Sequence, residues 1–519
     1  MMDDTPKTGL SCRLAGTAAA LTLLALRLPL WMLPGPGRDE AAYHYWAHHA
    51  EPAYSLLLQW SVRLSEAGLG HSLWSLRLPA LTLGFVVLLL NDWRLAAAGA
   101  PARLRLLAAL ALAFSPWQGF VSSILHPDVF LLAALLCLVL SVQKNHLWLA
   151  VASATAAVLA KPTGLLALPT LWFLSGRLDS LRKGELRTAR LVLVALAMWQ
   201  VRVMNTALVV ALADFGRLPP SLPWLDHGLA AAGSLIYQGG PLLIGISWFG
   251  AMERIGILRQ GGSQDVKREA WASLTIGGVL VAVFLAALVL RGQFKANWVL
   301  PAAVLLWPTR PPQWIEGRRG RGLVMAGVAL ACLGSLFQTA ILTKPDLLAT
   351  AERSLISRGM APRWARYSTQ AGVREGMVSS SATWGDHLRE FAGISAFVDS
   401  IAAGWRGLPE STGPMAWIVA SDYGLAFQID WYLEDPAVRV AVLGDGIFHR
   451  TWSTFRVMAP EGPLLALSDG DVDRLAAAGW PHRRYLSPVS HPVTGRLMRP
   501  VALFRHEPFD KEFGDEKQP

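Results

Sequence analysis

Two adjacent carboxylates open the stretch Arg38-Asp39-Glu40-Ala41-Ala42-Tyr43-His44-Tyr45-Trp46, directly after the first long apolar run. A carboxylate at a membrane–water boundary, beside low-dielectric walls, is placed to take a proton from an acceptor hydroxyl or amine. On a helix beginning near Asp39, neighbouring side chains point about 100° apart, so only one of the pair faces a given cavity. The same two acids equally suit a helix N-terminus, where they satisfy exposed N–H groups and the dipole. Spacing alone leaves both readings open.

Further groups of the right types follow. His126-Pro127-Asp128 opens an apolar run, which is ordinary helix-start chemistry or a second acid lining a site. Lys161-Pro162-Thr163-Gly164 closes another run, and Arg291 and Lys295-Ala296-Asn297-Trp298 sit between two later ones. Basic side chains at such ends snorkel to headgroups or compensate a lipid phosphate. Arg202 lies inside an apolar run, where an intramembrane cation marks a functional site by default. His44 and His48 share one helical face at i, i+4, the spacing of a metal-ligand pair and equally of interfacial packing partners.

The elements that must position these residues are mostly apolar. The chain has 519 residues, 53% hydrophobic and 16% charged, well below the charged share of a soluble protein. Mean hydropathy is +0.36. Twenty-two tryptophans against 8 tyrosines fit interfacial belts or Trp-rich cores alike. Apolar runs recur at 14–33, 76–93, 104–120, 129–142, 147–159, 164–174, 191–210, 229–251, 272–290, 298–308 and 322–342, giving about eleven spans. The first lacks a small-x-small cleavage site and reads as a retained helix. With a cytoplasmic N-terminus, one set of loops carries about 19 basic residues and the other about 8, as the positive-inside rule requires. Asp39, Asp128 and Lys161 then face outward, and an odd span count sends the C-terminal tail the same way. The net charge of +10 thus belongs to cytoplasmic loops rather than to nucleic-acid binding. Cys12, Cys137 and Cys332 lie in or beside apolar runs and make neither a disulfide framework nor a zinc motif.

From Thr343 onward charges return, and short β-type runs at 415–420, 438–443, 464–467 and 499–504 alternate with helical stretches. The reading is a helical polytopic membrane protein with a small C-terminal periplasmic α/β domain. Residues 1–342 form the multi-spanning part, with a first outward loop at 34–75, and residues 343–519 form the outward domain.

Taken in order, the motifs resemble the GT-C superfamily of membrane glycosyltransferases, in the bacterial branch related to protein O-mannosyltransferases and the lipid A aminoarabinose transferase. The resemblance rests on Asp39-Glu40-Ala41-Ala42-Tyr43, Arg77-Leu78-Pro79, His126-Pro127-Asp128, Lys161 to Gly164, Gln238-Gly239-Gly240-Pro241 and Ala296-Asn297-Trp298. Beyond Thr343 only Ala420-Ser421-Asp422-Tyr423 is similar. One departure is Glu51-Pro52-Ala53, which puts an acid where the family has a basic residue or His before a Pro-Pro pair.

The resemblance implies an inverting hexosyl or pentosyl transferase. It uses a polyprenyl-phosphate sugar as donor and an envelope glycan, lipid or protein as acceptor, at the outer face of the cytoplasmic membrane. Asp39 is then the catalytic acid, Glu40 its support and Asp128 the second acid. Lys161, Arg202, Arg291 and Lys295 are the candidates for the donor phosphate, and Tyr43, Asn297 and Trp298 for substrate contacts. A divalent metal ion on His44 and His48 is the cofactor to look for. A transporter or flippase for an anionic or lipid-linked substrate is the competing class. It would show inverted repeats and paired broken helices, and the sequence shows neither.

Overall fold

The computed structural model describes residues 28–33, 35–49, 55–175, 187–196, 238–260, 263–291, 299–312, 317–344, 394–408, 414–420, 423–435, 437–443, 463–467, 469–477, 479–490 and 497–504. A few isolated positions are described as well, Asn297 among them. The chain divides into two compact units, one of residues 1–32 with 52–340 and the other of residues 33–51 with 341–519.

Helix α1 (Arg38–His48) belongs to the second unit and is described with it. The first unit is helical: α2 (Leu56–Leu69), α3 (Leu73–Ala97), α4 (Ala102–Ala113), α5 (Pro116–Val121), α6 (Pro127–Gln143), α7 (Leu147–Ala160), α8 (Ala167–Ser175), α9 (Pro241–Gln260), α10 (Gln264–Arg291), α11 (Leu300–Leu305) and α12 (Arg318–Thr343). Among the described residues, four helices are long and apolar enough to cross a membrane: α3, α9, the 264–286 part of α10, and α12. Helices α6 and α7 are apolar but shorter. The apolar run at 191–210 falls largely outside the described residues.

Local chemistry sets the boundaries. Ser72 caps α3 by accepting the Ser75 N–H, so that helix starts ahead of Arg77-Leu78-Pro79 and encloses the motif. It ends on Gly99 at φ +80, where the Ala100 N–H reaches Leu95 O and the Gly99 N–H reaches Ala96 O. Helix α6 stops the same way on Asn145 at φ 59, with His146 N–H on Ser141 O, and the chain turns tightly into α7.

Two apolar runs expected to be single spans are not single continuous helices among the described residues. The run at 104–120 breaks between α4 and α5, because Pro116 has no N–H to continue the ladder and Ser115 caps a new helix through the Gln118 N–H. The run at 298–308 is helical only over the six residues of α11.

The second unit adds α13 (Ile394–Arg406), β1 (Trp417–Ala420), α14 (Tyr423–Leu433), β2 (Arg439–Val442), β3 (Leu464–Ala466), α15 (Asp469–Ala477), β4 (His482–Tyr485), the short pair β5 (Val489–Ser490) and β6 (Leu497–Met498), and β7 (Val501–Phe504). One sheet runs in the order β2-β1-β3-β7-β4. Its β1 pairs parallel with β2 and β3, and β7 is antiparallel to β3 and β4. Every residue of β1 and β7 is buried, as in strands covered on both faces. On one face Trp417, Val419, Ala441, Leu464 and Leu503 pack with Val472 and Leu475 of α15. Helix α1 and helix α13 both pack against α14.

Candidate active site

The catalytic candidates fall into two groups, one in each unit. In the second unit α1 carries Asp39, Glu40 and Tyr43. Glu40 is fully buried, and its Oε2 accepts the Gly37 N–H at 2.9 Å. This is the reciprocal half of a capping box, so Glu40 secures the helix start. Asp39 is exposed in the same first turn, one residue round the helix. The two adjacent acids thus split into a buried cap and a solvent-facing carboxylate.

Helix α1 is held in place by its own polar and aromatic residues. The buried Tyr45 hydroxyl accepts the Val440 N–H at 3.0 Å and lies 3.5 Å from Val440 O, tying the helix to β2. Gln428 Nε2 donates to Pro36 O at 2.8 Å. Arg38 lies against Gly424, where an added Cβ would sit 1.9 Å from its Nε. Tyr43 is buried edge-on to Trp46, with ring centroids 5.7 Å apart. His49 stacks on Tyr45 and its Nδ1 donates to Tyr45 O at 3.1 Å. Burial holds the His49 imidazole neutral, down to a pKa of about 4, and the nearby Arg439 acts in the same direction.

The His44 and His48 rings lie 4.5 Å apart between centroids, and Trp431 packs edge-on against His44.

In the first unit, Asp128, Lys161 and Asn297 meet. Asp128 is 1% exposed and Lys161 is 3% exposed. The Lys161 ammonium donates to Asp128 Oδ1, and Asn297 Nδ2 donates to Asp128 Oδ2 at 2.9 Å. His126, the N-cap of α6, accepts the Asp128 N–H on Nδ1 at 3.2 Å, and the same nitrogen lies 3.5 Å from Asp128 Oδ2. A ring nitrogen that accepts an N–H carries no proton of its own, so this contact is not a charged pair in that tautomer.

Backbone geometry delivers Lys161. It is the C-cap of α7, with extended φ −160° and ψ 148°. The chain then folds back through a 3-10 turn at Pro162–Leu166, closed by Gly164 N–H on Lys161 O at 2.8 Å. A Cβ on Gly164 would sit 1.9 Å from Ala157 O, so the last turn of α7 leaves room there for glycine alone. The Lys-x-Thr-Gly spacing is therefore the signature of a lysine turned inward at a helix end.

A buried ammonium–carboxylate pair with an amide on its second oxygen is electrically neutral and has both carboxylate oxygens hydrogen-bonded. Asn297 holds the second carboxylate oxygen, and His126 holds the Asp128 backbone N–H. Arg202, Lys295 and Trp298 lie outside the described residues, as does the Arg291 side chain at the end of α10. Sequence reasoning missed His126 as the acceptor that orients Asp128; its position before Pro127 at a helix start was the available signal.

No family model matches the chain, and no curated protein does. Solved structures do. ArnT from Cupriavidus metallidurans in the apo state is 16% identical, with 94% of this chain and 98% of that chain covered at a TM-score of 0.49. ArnT from the same organism bound to undecaprenyl phosphate is 18% identical, with 95% of this chain and 98% of that chain covered at a TM-score of 0.52. This chain is similar in fold to the latter along nearly its whole length.

Proposed function

We propose that this protein is a membrane glycosyltransferase that moves a sugar from a polyprenyl-phosphate donor to an envelope glycan, lipid or protein. The reaction runs at the outer face of the cytoplasmic membrane, with inversion at the anomeric carbon. One observation supports this reading most. Three residues from separate motifs, Asp128, Lys161 and Asn297, gather into one buried cluster. They do so in a chain with the fold of ArnT, which has been solved bound to undecaprenyl phosphate.

The chemistry asks for two charge types. The acceptor's O–H or N–H must lose its proton as it attacks the anomeric carbon, and the exposed carboxylate of Asp39 is the base. The bond from that carbon to the phosphate oxygen breaks, and the lipid phosphate leaves with the bonding pair. Its charge needs a cation, and Lys161 supplies one, joined by Arg202, Arg291 and Lys295. Asp128 keeps Lys161 neutralised until the phosphate takes its place. Tyr43 and Trp298 contact the sugar. Residues 1–342 form the transferase domain, with residues 343–519 as the outward domain.

The test uses the full chain. Mass spectrometry of envelope glycans from cells producing Asp39→Asn is expected to show the modification lost. The purified variant keeps its affinity for undecaprenyl phosphate, whereas Lys161→Met loses about tenfold or more, the scale of one charge-assisted contact. Glycans unchanged from wild type in the Asp39→Asn strain would rule out the general base.

A further inference from the structure

Helix α11 is only six residues long, yet its C-terminal carbonyls are all satisfied, and mostly by side chains from other helices. The Leu306 N–H serves Ala302 O, and Ser247 Oγ of α9 stands 2.6 Å from Ala303 O, its one proton shared with Leu243 O of its own helix at 2.5 Å. Arg94 of α3 donates from Nη2 to Val304 O at 3.0 Å and from Nη1 to Leu305 O at 2.8 Å. A guanidinium at a helix C-terminus meets both the orphan carbonyls and the negative end of the dipole.

Arg94 is itself fixed. Its Nη1 donates to Glu269 Oε1 at 2.7 Å and its Nη2 to Asn91 Oδ1 at 3.0 Å. The same Glu269 oxygen accepts Arg254 Nη2 at 2.7 Å and Ser273 Oγ at 2.9 Å. All three charged side chains are fully buried. The chain leaving α11 is pinned as well. Glu253 accepts the Thr309 N–H at 2.8 Å and the Thr309 hydroxyl at 2.6 Å. A Cβ on Gly250 would lie 1.9 Å from Leu306 O, so α9 presses directly on this backbone. Just before α11 stands Asn297, which holds Asp128. A helix of about 9 Å thus begins three residues after Asn297 and ends on the buried charges.

We propose that Arg94 and Ser247 are positioning residues: by anchoring the C-terminal carbonyls of α11, they set where Asn297 meets Asp128 and hence how readily Lys161 is released to a phosphate. The inference rests on the reading of that cluster as the phosphate site. It assigns a working role to residues that the sequence offers only as cytoplasmic-side charge and apolar helix.

The experiment combines two measurements on the full chain in nanodiscs, for Arg94→Lys and Ser247→Ala, each alone and together with Asn297→Ala. Affinity for undecaprenyl phosphate forms a double-mutant cycle. Each single variant is expected to weaken binding by about threefold to tenfold. Little further loss is expected once Asn297 is gone, because the effect runs through it. Hydrogen exchange of residues 299–307 is expected to quicken in both variants. Additive losses in affinity would overturn the inference, since general destabilisation has no reason to vanish without Asn297. Unchanged exchange at 299–307 would overturn it as well. If Asn297→Ala alone leaves affinity untouched, the phosphate-site reading fails and the positioning of Asn297 fails with it. Faster exchange would then show only that Arg94 and Ser247 anchor the helix.

Discussion

Lys161 and Asp128 neutralise each other in a buried pocket, so removing either charge leaves the other without its counter-ion. Breaking such a pair costs about 3–5 kcal/mol, mostly the penalty of the stranded charge. Asp128→Asn is therefore expected to lower the thermal midpoint, and undecaprenyl phosphate should restore more of it than it adds to wild type, because the freed ammonium then seeks an anion. A phosphate-induced shift smaller than that of wild type would show that Asp128 does not compete for Lys161. Gly164→Ala tests how the lysine is delivered. The new methyl cannot share space with Ala157 O, so the turn must open at a cost of about 1–3 kcal/mol. The expected readout is a loss of undecaprenyl phosphate binding with Lys161 itself intact. At this scale the sequence was informative where a residue type implied its surroundings. Asp128 and Lys161 stood out as charges at the ends of apolar runs and Asn297 through the resemblance of its motif, and the structure brings them together. Glu40 was one of two adjacent acids, and nothing in its neighbours distinguished the capping role from a catalytic one.

Among the elements, α1 depends on contacts from far along the chain. Its Tyr45 hydroxyl serves a backbone N–H 395 residues away. Tyr45→Phe keeps the ring and strands the Val440 N–H, which should cost about 1–3 kcal/mol. Limited proteolysis within residues 38–48 is expected to become faster, with the α3 and α6 segments unaffected; equal protection in variant and wild type would mean that the hydroxyl does not hold the helix. Apolar runs located α3, α6, α7 and α12 well, because a long hydrophobic stretch has few alternatives to helix. They failed at 104–120 and 298–308. In the first, Ser115 and Pro116 divide the run. In the second, Arg94, Ser247 and Glu253 take over backbone groups that would otherwise demand a longer helix. Partners 56 to 210 residues away leave no trace in local composition.

For the molecule as a whole, each unit has its own source of cohesion. The first relies on apolar helices joined by buried charge, and the second on a mixed sheet. The second therefore carries an acid sensitivity of its own. His49 has a pKa of about 4 when folded, against 6.5 in an exposed chain. Its depressed folded value means that the neutral ring contributes stability above pH 6.5, and that this contribution is lost as pH falls from 6.5 towards 4. The thermal midpoint of the full chain is expected to drop over that window, and His49→Gln should flatten part of the drop. A pH profile identical in the two proteins would place the sensitivity elsewhere. Composition announced a change of character near Thr343, but it could not announce that residues 33–51 group with residues 341–519.

That grouping constrains the order in which the protein can be made. The helix bearing Asp39 leaves the ribosome among the first segments, while β2 and α14, against which it rests, follow almost four hundred residues later. Until they arrive, Tyr45 and Trp46 lack the Phe427 ring they pack against. A chain arrested before residue 440 would carry the apolar helices described up to α12 and still lack the β2 backbone N–H that Tyr45 accepts. The hold on this helix thereby waits on residues made long after it.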